Sequence, residues 1–313
     1  MNLKLKVLLS TIIITLTITL YKVLKPMQSI KTEQHYLDLG YCNIWYQKSF
    51  TQETKDKTPI IFVHGGPGLE SGYIINLNNL ASERPCIFYD QSGCGKAITS
   101  KPIDWTFEHY VKELTLIIDK LGFEKVILFG YSWGAALATK YTLEHTDKVE
   151  KLILASPYIS TLHLIDNYKK LAQSKDIYDI MIKHENAGTT DSQEYQDAYA
   201  IFFKNFIFSK DPSIFDNIIV NKEISETMWG SNELSVSGNL KDLNLIPLLH
   251  NLNLPVLLTS GINDPMTPSY MDLLHRNIHN SKLVIFEHST HMPHIEEEET
   301  YLKIITNFLR NNK

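Results

Sequence analysis

With 313 residues, 43% of them hydrophobic and 21% charged, the chain can bury a large core, and one α/β domain of about 200 residues plus an accessory region is the natural partition. A formal net charge of −5 with no basic stripe excludes the electrostatic footprint of a nucleic-acid-binding protein. Three cysteines, Cys42, Cys86 and Cys94, are odd in number and lack ligand spacing, so neither a disulfide framework nor a metal site is expected, and nothing implies an organic cofactor.

The N-terminus differs from the rest. Val7 to Tyr21 carries no charge, with Lys4 and Lys6 before it and Lys22 and Lys25 after it. The run is short for a spanning helix and fits a signal h-region, extending to Leu24 if Lys22 snorkels. The residues that follow, Lys25-Pro26-Met27-Gln28, offer no small-x-small cleavage site. The expectation is an uncleaved signal-anchor that tethers the protein to a membrane through residues 7–24. A cleaved signal, giving an exported soluble protein, and an extra strand over the alternating Thr15–Leu20 are the alternatives. Lysines on both flanks leave the orientation open. Residues 26–34 read as a linker into two strands, His35–Leu39 and Asn43–Gln47.

Pro59–Val63 is a strand, followed by His64-Gly65-Gly66-Pro67-Gly68. Glycine lets the backbone approach a substrate oxygen closely, so the Gly66 amide is a candidate oxyanion donor. The strand Cys86–Tyr89 leads into Asp90-Gln91-Ser92-Gly93-Cys94-Gly95, a loop that braces the site. A phosphate cradle is a poor reading there, because no GKS/T helix start follows.

Val126–Phe129 suits a buried parallel strand. It runs into Gly130-Tyr131-Ser132-Trp133-Gly134 and then Ala135–Tyr141, a helix pattern with small residues where a helix must press on a sheet. A strand ending in G-x-S-x-G and turning at once into a helix is a nucleophile elbow. Gly130 and Gly134 remove side chains that would collide in so tight a turn. Ser132 is left exposed at the sheet edge, and the Trp133 amide points where an oxyanion would form.

A serine nucleophile needs an acid and a histidine, in the order Ser, Asp, His. Leu254–Gly261 is another buried-strand run, and Asp264 lies in the polar turn after it, where ligands and catalytic groups collect in open α/β sheets. Lys282–Phe286 reads as the last strand. Of the three histidines that follow, His291 stands far enough beyond Phe286 to fold back over the sheet edge, while His288 and His294 read as solvated. The chemistry assigns the roles. Ser132 attacks a carbonyl, His291 moves its proton, and Asp264 orients His291. The run Glu296–Glu299 reads as a solvated helix start.

The combination HGGPG, DQ-x-G-C-G, G-x-S-W-G and H-M-P-H resembles the proline iminopeptidase branch of the serine α/β-hydrolases, and within it the tricorn-factor-like members, over residues 35–311. The resemblance implies an α/β-hydrolase fold, with a mostly parallel central sheet flanked by helices and a helical cap inserted after the strand that follows the nucleophile helix. The implied division is an N-terminal segment 1–30, a core in two parts, 31–157 and 247–313, and a cap 158–246. It also implies a serine aminopeptidase that releases an N-terminal residue, proline or another small apolar one, from short peptides with a free N-terminus. In tricorn-factor-like members an asparagine-glutamate pair after an M-x-G turn holds the substrate amine. Here Met228-Trp229-Gly230-Ser231-Asn232-Glu233 puts Glu233 at that position. A buried carboxylate there pairs with an ammonium and rejects blocked termini. In some of those members a second acid follows the catalytic aspartate, where this chain has Pro265. Asp197 or Glu194 could compensate, although nothing in the spacing demands it. The aromatic stripe Ile201–Phe208 reads mainly as helix core, with part of it lining a substrate pocket.

Two other functions fit the same residues. One is an esterase or amidase for small acyl substrates. The other is a catalytically inactive hydrolase fold used for binding. A dehalogenase-like reaction is excluded, because it needs a carboxylate at position 132.

Overall fold

The computed structural model describes residues 29–311. The anchor expected at residues 7–24 lies outside them. Among the described residues no helix is long and apolar enough to cross a membrane.

Among the described residues nine strands form one sheet: β1 (Lys31–Asp38), β2 (Cys42–Phe50), β3 (Ile60–Val63), β4 (Cys86–Tyr89), β5 (Ile98–Thr99), β6 (Val126–Tyr131), β7 (Val149–Ala155), β8 (Val256–Gly261) and β9 (Ser281–Phe286). Their order is β1-β2-β4-β3-β6-β7-β8-β9, with β5 paired to β2 off this path. The β1–β2 and β2–β4 pairs are antiparallel, and every pair from β4 to β9 is parallel. β3, β4, β6 and β8 are buried along their whole length. That is why they read as unbroken apolar runs: helices cover both faces, so no position alternates to water. Each fully buried side chain among them, Phe62, Ile127 or Leu258 for example, adds about 1.5–3 kcal/mol of transfer free energy.

The first strand begins earlier than the expected His35–Leu39. Residues 31–34, expected as linker, pair with the end of β2. β1 is a largely exposed edge strand rich in polar residues, so it lacks an apolar pattern, and its extent is set by pairing with β2.

Helices pack on the sheet in the βα connections. α1 (Phe107–Leu121) starts at Thr106, whose hydroxyl accepts from the His109 amide, and stops at Gly122 in the left-handed region. α2 (Trp133–Glu144) follows β6 and is buried through Ala135, Ala136 and Ala138, which let it lie close to the strands.

Between β7 and β8 the chain leaves the sheet. It builds α3 (Thr161–Gln173), α4 (Tyr178–Ala187) and α5 (Gln193–Phe202), the last extended by a wider turn over Phe203–Ile207. A single tight turn at Pro212–Phe215 and α6 (Lys222–Met228) complete it. The two ends of this excursion meet. The Thr161 amide donates to Leu243 O at 2.9 Å and the Leu245 amide to Ile159 O at 3.0 Å. Its far loops are tied to the core by the Asn221 amide on Gly68 O at 2.8 Å and the Asn221 side chain on Gly93 O at 2.9 Å. After β8 come α7 (Pro268–Asn277), β9, the short α8 (Pro293–Glu296) and α9 (Glu298–Arg310).

Candidate active site

Ser132 stands between β6 and α2 with φ 51° and ψ −116°, a conformation that non-glycine residues rarely take. The packing around it explains the flanking glycines. A Cβ on Gly134 would run into the carbonyl oxygens of Val63 and His64, so α2 can start only if that position is bare. The same close approach seats the elbow directly on the turn after β3. Trp133 is the first residue of α2, where amides lack intrahelical acceptors.

The turn after β3 is wired from behind. The Gln91 amide donates to His64 Nε2 at 3.0 Å, so that nitrogen is the unprotonated one and Nδ1–H is left to donate to Gly65 O at 2.8 Å. His64 is therefore neutral, and burial holds its pKa below the usual value. The Gln91 side chain donates to His64 O and accepts from the Trp133 indole, both at 3.0 Å. Asp90 accepts from the Ser71 amide and the Lys96 amide, each at 2.8 Å. The HGGPG and DQ-x-G-C-G loops thus form one hydrogen-bonded body that carries Gly66 and Trp133. Gly66, at φ 137°, needs the conformational range of glycine.

Asp264 lies just past β8 and is fully buried. It accepts from His291 Nδ1 at 2.8 Å, from the Met266 amide at 2.8 Å and from Ser260 Oγ at 3.1 Å. The His291 loop is fixed at its backbone as well. His291 O accepts from Tyr131 Oη at 3.0 Å and Ser156 Oγ at 2.8 Å. Glu296 takes the Thr290 amide at 2.6 Å and reaches the Ser209 amide at 2.8 Å, tying the histidine loop to the helical excursion.

Ser132, His291, Gly66 and Glu233 line one cavity of about 510 Å³. Its wall is otherwise mostly apolar and aromatic, with Tyr158, Tyr168, Trp229 and Phe203 among the lining residues. Glu233 faces this space from the loop after α6. Among the described residues no donor bonds its carboxylate. Removal from bulk water and then the charge of Glu185 push its pKa up to about 7, against the opposing pull of His291.

Several sequence expectations need correction. Glu194 does not approach Glu233: it pairs on the surface with Lys183 at 2.7 Å and His184 at 2.8 Å. Asp197 is exposed and accepts from Gln193 at 2.8 Å. The acid that does lie beside Glu233 is Glu185, on α4. It accepts from the Glu233 and Leu234 amides, both at 3.0 Å, and from Tyr195 Oη at 3.1 Å. Nothing local marks it, because it is one acid in a mixed helix and its burial comes from tertiary packing. His294 is not solvated but fully buried against Tyr131, with ring centroids 5.0 Å apart. Within Glu296–Glu299, Glu296 is buried and Glu297 accepts from the His288 amide at 3.0 Å, which leaves Glu298 and Glu299 to solvent. His288 is exposed. In the aromatic stripe Phe202, Phe206 and Phe208 are core, while Phe203 and Ile207 line the cavity.

The chain is similar to known proteins over most of their length. A family model described as alpha/beta hydrolase fold matches residues 58–298. The proline iminopeptidase of Heyndrickxia coagulans is 36% identical over 288 residues, covering 88% of this chain and 98% of that one. The proline iminopeptidase of Saccharolobus solfataricus is 32% identical, covering 90% and 93%. The crystal structure of proline iminopeptidase from Mycobacterium smegmatis superposes with a TM-score of 0.81 at 25% identity, covering 90% and 98%. By these matches the chain belongs to the proline iminopeptidase family of α/β-hydrolases.

Proposed function

We propose that this protein is a serine aminopeptidase that releases an N-terminal residue, proline or another small apolar one, from short peptides. The observation that carries this reading is the Glu233 carboxylate, which no donor among the described residues bonds, in the same apolar cavity as Ser132 and His291. An esterase has no use for a carboxylate there. A substrate with a free N-terminus does, since its ammonium pairs with Glu233 while the apolar wall takes the first side chain.

In this mechanism Ser132 Oγ attacks the carbonyl of the first residue as His291 accepts its proton. Asp264 keeps His291 Nδ1–H directed inward and stabilises the imidazolium. The Gly66 and Trp133 amides hold the oxyanion. Collapse breaks the C–N bond, and His291 gives its proton to the departing amine. Water then attacks the acyl-serine, its proton passing through His291 back to Ser132. The core is divided as residues 31–157 and 247–313, and residues 158–246 act as the cap that closes the cavity around the amine end.

The test is a matched pair of chromogenic substrates, prolyl p-nitroanilide and its N-acetyl form. Strong preference for the free amine is expected. Equal cleavage of both would leave the esterase or amidase reading in its place, and no labelling of Ser132 by a fluorophosphonate would leave the inactive binding protein. Residues 7–24 are further inferred to tether the enzyme to a membrane as a signal-anchor. Release of the full chain from membranes by alkaline carbonate would overturn that.

A further inference from the structure

Glu185 does not itself line the cavity, yet it is a buried carboxylate bonded to the segment that carries Glu233. Its Oε1 accepts from two successive amides, Glu233 and Leu234, at 3.0 Å each, and Oε2 lies 3.2 Å from the Leu234 amide. The Tyr195 hydroxyl, from α5, donates to it as well at 3.1 Å. These bonds fix the backbone of the Glu233–Leu234 turn against α4. The Glu233 side chain is left as the carboxylate that faces the cavity.

We propose that Glu185 is the positioning residue of the ammonium site, holding the Glu233 turn so that its carboxylate meets the substrate amine. This rests on the aminopeptidase reading above. The role has two physical parts. The hydrogen bonds aim Glu233. The charge of Glu185 adds a second negative centre behind it, which favours a cation in the cavity and raises the proton affinity of Glu233. The groups that interact with Glu233 are Glu185 from α4, Tyr168 from α3, Tyr195 and Tyr199 from α5, and His291 from the loop after β9. All three tyrosines have pKa values raised and stay neutral through the working range. Glu185 is thus the group whose negative charge presses on Glu233.

Steady-state kinetics of the full chain from about pH 5 to about pH 9 test this, with prolyl p-nitroanilide and, as an amine-free control, p-nitrophenyl acetate. Glu185→Ala is expected to lose about tenfold more kcat/KM on the amide than on the ester, with the excess loss in KM. Glu185→Gln keeps an oxygen for the two amides and removes only the charge. Its acid limb on the amide is expected to move down by about half a pH unit or more, while the acid limb on the ester, which reports the general base alone, stays in place. Equal losses on both substrates in Glu185→Ala, or an unmoved amide limb in Glu185→Gln, would overturn the proposal. Should Glu185→Ala fail to fold, the limb in Glu185→Gln decides alone. The underlying reading fails separately: a Glu233→Gln variant that keeps the wild-type preference for free amines removes the anchor itself, whatever Glu185 does.

Discussion

At the end of β8, Asp264 is surrounded by donors: a ring nitrogen, a backbone amide and a hydroxyl all point at its oxygens. On the helical side of the same cavity, Glu233 has none among the described residues, and its pKa is pushed up to about 7. These two carboxylates are the same chemical group with opposite assignments. A carboxylate whose lone pairs are filled by the protein is part of a scaffold, and its charge serves a neighbouring side chain. A carboxylate held in an apolar wall without partners has its electrostatic capacity in reserve for a ligand. The sheet end is therefore wired for a fixed reaction, and the helical side is left open for recognition.

The sharpest way to separate the two regions is to remove the chemistry and leave the recognition. Ser132→Ala is expected to lower kcat by about 10⁴–10⁶ with the fold intact, since alanine fits wherever the elbow accepts serine. Binding of a free-amine peptide, measured by calorimetry on the variant, should persist. Loss of binding together with turnover would mean that the elbow also supports the recognition side.

Asp264→Asn breaks the comparison from within the sheet end. The amide keeps the shape and leaves His291 without its anionic partner, so kcat is expected to fall about 10⁴-fold on peptide and ester substrates alike. A loss confined to peptides would show Asp264 acting on the amine rather than on His291.

Glu233→Gln acts on the other region. A charge-assisted bond in a desolvated site contributes about 3 kcal/mol, so kcat/KM for free-amine substrates is expected to drop by about 100-fold, with little change on esters. The pH profile gives the sign. Glu233 must be ionised to hold an ammonium, so in the wild type the free-amine substrate loses affinity as pH falls through about 7. That loss should vanish in the glutamine variant, because nothing is left there to protonate.

The same contrast governs what could be read from the chain. The sheet end follows local rules. β3, β4, β6 and β8 announce themselves as apolar runs, the glycines of the elbow are dictated by backbone contacts one turn away, and Asp264 and His291 sit a few residues past strand ends. The helical side follows tertiary rules. Glu233 could be found only through an M-x-G-containing family pattern, and Glu185 has no pattern at all. Its role exists because α4 packs beside a loop about fifty residues later in the chain. Polar residues in a loop default to solvent when judged locally, which is why His294 and Glu296 were expected outside. Both are turned inward by the short α8, which Pro293 starts and which the Asn76 side chain holds by donating to His294 O at 2.7 Å.

His294 offers the smallest effect and a test of how far the wired region extends. It is fully buried, with Tyr131, Tyr73 and Tyr301 around it at ring distances of 5.0, 6.5 and 6.1 Å. Burial first, opposed by a Tyr73 backbone contact and reinforced by His291, lowers its pKa to about 3. In the unfolded chain an ordinary histidine takes up its proton near pH 6.5. Between those values the unfolded state binds a proton that the folded state refuses, so stability falls as pH falls, starting near 6.5 and ending only near 3. From pH 7 to pH 5 this group alone should cost about 2 kcal/mol. His294→Phe keeps a ring in the cluster and removes the proton site. Urea unfolding at the two pH values should show the variant losing about 2 kcal/mol less than the wild type on acidification, even if its stability at pH 7 is lower. Parallel losses in both proteins would mean that His294 is hydrated or protonated in the folded state. The tyrosine cluster behind His291 would then belong with the open region rather than with the wired one.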